Sequence, residues 1–396
     1  MRQVRVNEWS SLGKETFEKL RLNSPPGGWF PALQGLSWTI NESNLPYTDI
    51  CFSPDLKEIS IRAIQSWNNT GVPLGILPTL VSTISALPTS SLERISVDIK
   101  HQTIPWADAK DSFSSIVLRC GPSFIEYDCP VPLSDAALDH LIQLPHFRTW
   151  RIHGPPPDYP ASSLPLVFPP LRKLTLGKGA VRGWLPLLER LDGASTTQDV
   201  TPLSKAKESL IDLKIDDIPD INIGAPFVST IQRFRNLVFL KVEVYCHDED
   251  DRGQCAFKLN NDDVTELAMT LTRLECLCLG YPCFENTCLT TVACLLPISV
   301  HCNELRDLAI HFNTTNIADD FKNILEDPQF QQLRSLRRCP LRNLDVHQMP
   351  LDLDESGYRT VVNGMADIFP RLKGFGGFEE IWHELCATML AVSHPR

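Results

Sequence analysis

The sequence predicts an α/β fold: an irregular leucine-rich-repeat solenoid, with parallel strands on a concave face and helices on a convex face. Three observations predict it. A six-residue pattern, apolar-x-x-apolar-x-apolar, recurs along nearly the whole chain. A proline often stands just before the pattern, and amphipathic helical segments lie between several copies. A single unit of this kind cannot bury its apolar stripe alone, so neighbouring units are expected to stack.

The pattern occurs twelve times, with starts roughly 31 residues apart on average. Four of the eleven intervals have the length of a regular leucine-rich repeat, and the other seven are longer. The Asn or Cys that usually follows the strand motif is mostly missing. We therefore expect an irregular solenoid with insertions. The copies begin at Leu33, Leu56, Leu92, Phe124, Phe147, Leu171, Leu210, Leu237, Leu274, Leu305, Leu341 and Leu372.

Helices are expected before several of the proline turns, since proline ends a preceding helix. Ser134 and Asp135 offer an N-cap, and the apolar residues that follow share one helical face. Those residues are Ala137, Leu138, Leu141 and Ile142. Residues 260–271 and 356–369 repeat the arrangement. Each unit therefore reads as helix, proline turn and short strand.

Side-chain alternation predicts which strand residues form the core, because successive residues of a strand face opposite sides. In the copy at Phe147, Trp150 and Ile152 are expected to point inward, whereas Thr149, Arg151 and His153 point outward. By the same register, Leu174, Leu240, Leu277 and Leu308 are predicted core residues of the central repeats.

Three segments are predicted along the chain. Residues 1–29 are expected to cap the first repeat, residues 30–378 to form a solenoid of about twelve irregular repeats, and residues 379–396 to form a C-terminal capping helix and tail.

Composition narrows the classes of partner and the cellular compartment. The formal net charge is −11, and no dense run of Lys and Arg is present, which argues against nucleic-acid and anionic-membrane binding. The 13 cysteines are irregularly spaced, the first residues lack a signal peptide, and no apolar run is long enough to span a membrane. We therefore expect reduced thiols and a cytoplasmic or nuclear protein.

Enzyme motifs are missing from the sequence. It contains no nucleophile elbow, P-loop, dinucleotide-binding glycine motif or paired zinc histidines, so no catalytic residue, cofactor or metal ligand is predicted. The cysteines crowded between Cys276 and Cys302 leave a metal site open. By strand alternation, Cys276 and Cys278 share the outward face with Asp307 and His311 of the next strand and with Asp345 and His347 of the following one.

Outward residues of the central strands carry charges of both signs and scattered aromatic side chains, which is typical of a surface that binds a protein. The predicted partner-binding residues on the concave face are Arg151, His153, Lys173, Lys214, Phe239, Lys241 and Glu243.

Two segments resemble the leucine-rich-repeat region of fungal F-box proteins. They are "VNEWSSLGKETFEKLRLNSPPGGWFPALQGLSW" and "SFIEYDCPVPLSDAALDHLIQLPHFRTWRI", and the resemblance extends over nearly all of the chain. It implies repeats that recruit a protein substrate for ubiquitination, with a separate F-box docking a Skp-type adaptor. The sequence contains no "LP-x-E-[IL]" opening of an F-box, so an F-box is expected to be lost or to lie outside this chain.

The favoured hypothesis is thus a non-catalytic protein-interaction module, the substrate-recognition part of an F-box-type ubiquitin-ligase adaptor. The alternatives are a leucine-rich-repeat scaffold unrelated to ubiquitin and a metal-binding enzyme.

Overall fold

In the computed structural model of the chain, all twelve copies of the six-residue pattern form short parallel strands. Each strand begins two residues after the first apolar residue of its pattern. The residues that the structure describes are 3–6, 14–25, 29–40, 45–63, 76–87, 89–98, 106–152, 171–177, 181–192, 208–218, 224–244, 258–280, 288–333, 339–346 and 353–376. The proposed capping helix within 379–396 lies outside them.

The chain divides into two units, each built from the same strand, turn and helix repeat. Unit 1 comprises Met1–Gly177 and Ser195–Ala206, and unit 2 comprises Lys178–Ala194 and Lys207–Arg396. The sequence patterns do not mark this division, because the motif recurs on both sides of it. The single solenoid over 30–378 remains a prediction.

Unit 1 contains a parallel sheet in which each described strand pairs with the next one in sequence. Its strands are β1 Gln3–Val6, β2 Gly35–Ile40, β3 Glu58–Ala63, β4 Arg94–Asp98, β5 Glu126–Cys129, β6 Thr149–Ile152 and β7 Lys173–Gly177. Its helices are α1 Lys14–Leu22, α2 Ile76–Ser85, α3 Lys110–Arg119 and α4 Asp135–Gln143, with 3-10 helices at Leu45–Cys51 and Trp106–Ala109.

Unit 2 contains a second run of parallel strands paired in sequence order. They are β8 Asp212–Ile218, β9 Phe239–Val244, β10 Cys276–Leu279, β11 Asp307–Ile310, β12 Asn343–Asp345 and β13 Gly374–Gly376. The helices are α5 Val181–Asp192, α6 Ala225–Ile231, α7 Asn261–Thr270, α8 Leu295–His301, α9 Ile317–Glu326, α10 Pro328–Leu333 and α11 Glu355–Ile368, and Val292–Cys294 is a 3-10 helix.

Strand β1 is not among the twelve strands predicted from the repeat pattern. Gln3–Val6 pairs in parallel with β2, in the register Gln3 with Gly35 and Val6 with Trp38. Met1, Val4 and Val6 nevertheless match the six-residue pattern, so the sequence contains a further copy ahead of the twelve identified above. The N-terminal segment 1–29 thus adds a strand to the sheet of unit 1, and its role as a cap stays a prediction.

The turn that enters each strand repeats one hydrogen-bonding arrangement. The carbonyl oxygen of Lys57 accepts both the amide of Glu93, at 2.7 Å, and the amide of Arg94, at 2.9 Å. The residue at the same motif position in the next repeat, Glu93, accepts the amides of Ile125 and Glu126 in turn. Arg306 likewise accepts the amides of Arg342 and Asn343 in unit 2. This main-chain ladder sets the register between consecutive repeats.

Helices form at the three segments where the sequence predicts them. The Ser134 side chain caps α4 as expected, by accepting the amide of Ala137. Asn260 and Asp263 form a reciprocal capping box at the start of α7, and Asp354, two residues before the predicted segment, caps α11 by accepting the amide of Gly357. These side chains satisfy amides that have no partner within the first turn of a helix.

The core lies between the strands and the helices of each unit, as the alternation predicts. Trp150 and Leu174 in unit 1 are fully buried. In unit 2, Leu240, Leu277 and Leu308 have exposures of 0%, 1% and 2%. Consecutive helices pack on one another behind the strands, for example α3 on α4 in unit 1 and α7 on α8 in unit 2.

Three residues depart from the orientation that the alternation predicts. Thr149 on β6 and Thr175 on β7 occupy outward positions of central strands yet are only 9% and 7% exposed. The alternation predicts an outward His311, but β11 ends at Ile310 and the alternation ends with it, so the imidazole is fully buried. Among the residues that the structure describes, neither ring nitrogen of His311 has a hydrogen-bond partner.

Replacing Leu240 with Asp is expected to unfold at least the neighbouring repeats of unit 2. The substitution loses roughly 1.5–3 kcal/mol of apolar burial and places an unpaired carboxylate in the core, which costs more. The matched control is Leu289→Asp, because Leu289 is 55% exposed. Thermal denaturation followed by circular dichroism measures both. A soluble Leu240→Asp protein with an unchanged Tm would contradict the register of β9.

His311→Leu is expected to raise the free energy of unfolding by about 1 kcal/mol, since it removes two buried polar atoms that lack partners. Urea denaturation with an unchanged m-value provides the measurement. A loss of stability would show that the imidazole makes a stabilising interaction.

Candidate functional site on the exposed sheet faces

The outward residues of unit 1 form two rows across the strands, here called the unit 1 face. Registered neighbours lie about 4.8 Å apart across a sheet, so side chains within a row meet. One row is Gly35, Glu58, Arg94, Glu126, Thr149 and Lys173, and the other is Ser37, Ser60, Ser96, Asp128, Arg151 and Thr175.

A chain of ion pairs crosses the unit 1 face. Arg94 contacts Glu58 at 2.7 Å and Glu126 at 3.9 Å. Arg151 contacts Glu126 at 3.5 Å, and its Nη1 donates a hydrogen bond to Asp128 Oδ2 at 2.9 Å. The carboxylates of Glu126 and Asp128 thereby orient both arginines. The network remains half-exposed and open to a partner.

The outward residues of unit 2 form the unit 2 face, also in two rows. They are Asp212, Phe239, Cys276, Asp307, Asn343 and Gly374 in one row, and Lys214, Lys241, Cys278, Ala309, Asp345 and Gly376 in the other. The side chains shorten along these rows, from aromatic and basic residues on β8 and β9 to Ala, Asn and Gly on β11 to β13. Because the side chains differ in size, the surface of the unit 2 face is uneven.

The β8–β9 end of the unit 2 face is organised by two lysines. The Lys214 ammonium lies 4.7 Å from the ring centroid of Phe239, a cation–π contact. Lys241 contacts Glu243 at 2.6 Å and Asp216 at 3.9 Å. Burial opposes the charged form of Lys241, but the hydrogen bond and the charge of Glu243, aided by Asp216, raise its pKa above the usual value. Lys241 is therefore charged at neutral pH.

An open groove of ≈ 350 Å³ lies on strands β10 to β13 of the same face, and we call it the β10–β13 groove. Asn343 donates a hydrogen bond to Asp307 within it at 2.6 Å. A Cβ atom at Gly374 would meet the Asn343 side-chain oxygen at 2.7 Å, so a larger residue there would displace the amide. The lining residues are Cys276, Leu277, Cys278, Asp307, Leu308, Ala309, Asn343, Leu344, Asp345 and Gly374.

The cysteines of this region do not form one cluster. Cys276 and Cys278 lie on the unit 2 face, whereas Cys288, Cys294 and Cys302 are buried. Burial, with the charge of Asp307, raises the pKa of Cys276 to about 11, and burial, with Glu243, raises that of Cys278 to about 12. Both are neutral thiols at pH 7.

One of the candidate metal ligands, His311, is not on the exposed face. His311 is buried, and His347 lies outside the described residues. Across the residues that the structure describes, no group of three or more His, Cys, Asp and Glu side chains could hold a metal ion.

The predicted partner-binding residues divide between the two faces. Arg151 and Lys173 lie on the unit 1 face. Lys214, Phe239 and Lys241 lie on the unit 2 face, and Glu243 continues it along β9. His153 lies outside the described residues.

None of the ten residues that line the groove is in the predicted binding set. Three of them, Ala309, Asn343 and Gly374, were not named as candidates for any site. The motif alternation places them on the outward side, but their small size gave no chemical signal in the sequence.

No protein-family model matches the chain, and no curated protein matches it. Among solved structures it is similar to internalin C2 of Listeria monocytogenes, with 17% identity, a TM-score of 0.29, and coverage of 51% of this chain and 70% of that one. A second internalin from the same organism, inlF, has 11% identity, a TM-score of 0.35, and coverage of 95% of this chain and 92% of that one. The leucine-rich-repeat architecture rests on the parallel ladder of this chain itself.

Among the described residues, none of the helices has the length and apolar character required to cross a membrane.

Arg151→Ala is expected to lower the free energy of unfolding by at most about 1 kcal/mol, because half-exposed ion pairs contribute little. Trp150→Ala, one residue earlier on the buried side of β6, should cost roughly 3–5 kcal/mol. Urea denaturation of the two variants measures the difference. Similar losses in both would show that the unit 1 network is a structural element.

Proposed function

We propose that the chain is a non-catalytic protein-binding module that engages its partner through the exposed sheet faces. The observation that carries the proposal is the oriented, mixed-sign charge of these faces. Glu126 and Asp128 hold Arg151 in place while leaving its side chain 38% exposed. Arginine and aromatic residues supply much of the binding energy at protein interfaces, and a pre-oriented side chain loses less entropy on binding.

The proposal extends to substrate recognition within an F-box-type ubiquitin-ligase adaptor in the cytoplasm or nucleus. The resemblance of the repeat phrases at Phe30–Trp38 and Leu133–Ile152 to fungal F-box proteins supports this finer role. The cysteines that the structure describes are free thiols, which fits a reducing compartment. A Skp-type adaptor would join the complex only through an F-box outside this chain.

Affinity capture with the wild type and with an Arg151→Ala/Phe239→Ala variant tests the binding function. Truncation of an interface hot spot often costs about 2 kcal/mol or more, so partner retention should fall at least tenfold in the variant. Leu118→Ala/Arg119→Ala is the matched control, because both residues are exposed on helix α3. Equal retention of the partner by all three proteins would show that the binding surface lies outside the sheet faces.

The ubiquitin role needs a separate experiment. Captured partners should accumulate when the proteasome is inhibited, and purified Skp-type adaptor should fail to bind the isolated chain. Direct binding of the adaptor would reveal an F-box within this chain. If the amount of captured partner does not change when the proteasome is inhibited, the scaffold alternative would be favoured.

A further inference from the structure

We infer that the β10–β13 groove receives a single arginine side chain of the bound protein, an inference that rests on the protein-binding function proposed above. The groove lies on the open face of unit 2, is bounded by named side chains and has space for a guanidinium group and its methylene stem.

Charge complementarity is the first argument. The groove is lined by two acidic residues, Asp307 and Asp345, and by no basic residue within the described part of the chain. Lys214 and Lys241 occupy one of the same two rows on β8 and β9, but the lining of the groove contains only short polar and apolar side chains. A cationic side chain from a partner would complement the charge of the two carboxylates.

The spacing of the two carboxylates favours arginine over lysine. Asp307 is registered with Asn343, and Asp345 with Ala309, so the two acidic residues lie diagonally across β11 and β12. Their Cα atoms are roughly 8 Å apart, given strands about 4.8 Å apart and a rise of about 3.3 Å per residue. A planar guanidinium presents five N–H donors on opposite edges and can bind two such carboxylates, whereas an ammonium is a compact point charge.

The walls of the groove suit the methylene stem of an arginine. Cys276 and Cys278 are neutral thiols on one side, and a thiol behaves as a small, polarisable apolar group. Ala309 and Gly374 leave the space above β11 and β13 open. The hydrogen bond from Asn343 holds the Asp307 carboxylate in position before a partner binds.

Cationic residues just before the strands of the groove disfavour a ligand that carries a run of basic residues. Arg306, Arg342 and Lys373 stand immediately before β11, β12 and β13, are exposed, and are joined through the main-chain ladder, with amide-to-oxygen distances of 2.8 Å. Arg306 is paired with Glu275 at 3.7 Å, but Arg342 and Lys373 in consecutive repeats would repel further positive charge and attract a carboxylate. The preferred ligand is therefore an extended segment with one arginine and a neighbouring acidic residue.

Peptide selection on the full chain tests this inference. A phage library of random peptides is panned on the wild type, and the selected peptides are synthesised and measured by fluorescence anisotropy. Two variants alter the groove in different ways: Asp307→Asn/Asp345→Asn removes its charge, and Ala309→Leu fills it. The controls are Ala309→Ser and Asp111→Asn/Asp139→Asn, which removes two exposed carboxylates from helices α3 and α4 and leaves the sheet faces unchanged. Circular dichroism establishes that each variant is folded.

The expected result is enrichment of peptides with one arginine beside an acidic residue. Their affinity should fall about tenfold or more for both groove variants, and on Arg→Lys replacement in the peptide, while the controls stay near the wild type. Selected peptides without arginine, or with equal affinity for all variants, would overturn the inference and leave the protein-binding function standing. A library that yields no binder would also overturn it, whereas the binding function is judged separately by the capture experiment.

Discussion

Within each unit, one carbonyl oxygen at the turn of a repeat accepts hydrogen bonds from two consecutive amides of the following repeat, and these paired bonds hold the described repeats together. Lys57, Glu93 and Arg306 each play this part, although their side chains differ in length and charge. The bonds involve only the main chain, so these motif positions are free to vary. The same paired bonds recur across insertions of very different length, and the leading apolar residue of each motif is buried behind the turn.

The strands are short, so each one contributes only a few side chains to an exposed face. A strand of three to seven residues offers two or three outward side chains, and the register aligns them with those of its neighbours. The properties of a face then depend on side chains contributed by several repeats. On the unit 1 face, the glutamate and aspartate of β5 orient arginines from β4 and β6. None of these contacts exists within a single repeat.

The two faces differ in their chemistry. The unit 1 face carries long charged side chains that are already paired, so the proposed protein partner would exchange one set of ion pairs for another there and gain specificity more than affinity. The unit 2 face passes from lysines and a phenylalanine to a groove with two aspartates and small neighbours. That groove can enclose a side chain, which excludes water and strengthens a charged hydrogen bond.

Local sequence patterns were sufficient to predict the class of fold, the start of twelve strands and the caps of helices such as α4 and α7. They were sufficient because a period of two in the strand, a leading apolar residue and an N-cap each lie within a few neighbouring residues. The same pattern also marks β1 at Met1, Val4 and Val6, although that copy was not among the twelve predicted. Three features emerged only when the repeats were stacked: Thr149 is covered, His311 is buried, and a groove opens beside Asp307. Two of these depend on residues tens of positions away in the chain: the side chains on β5 and β7 that flank Thr149, and the absence of a side chain at Gly374. The burial of a residue and the shape of the groove depend on the sizes of neighbouring side chains that come together only in the folded chain. No single repeat specifies those neighbours.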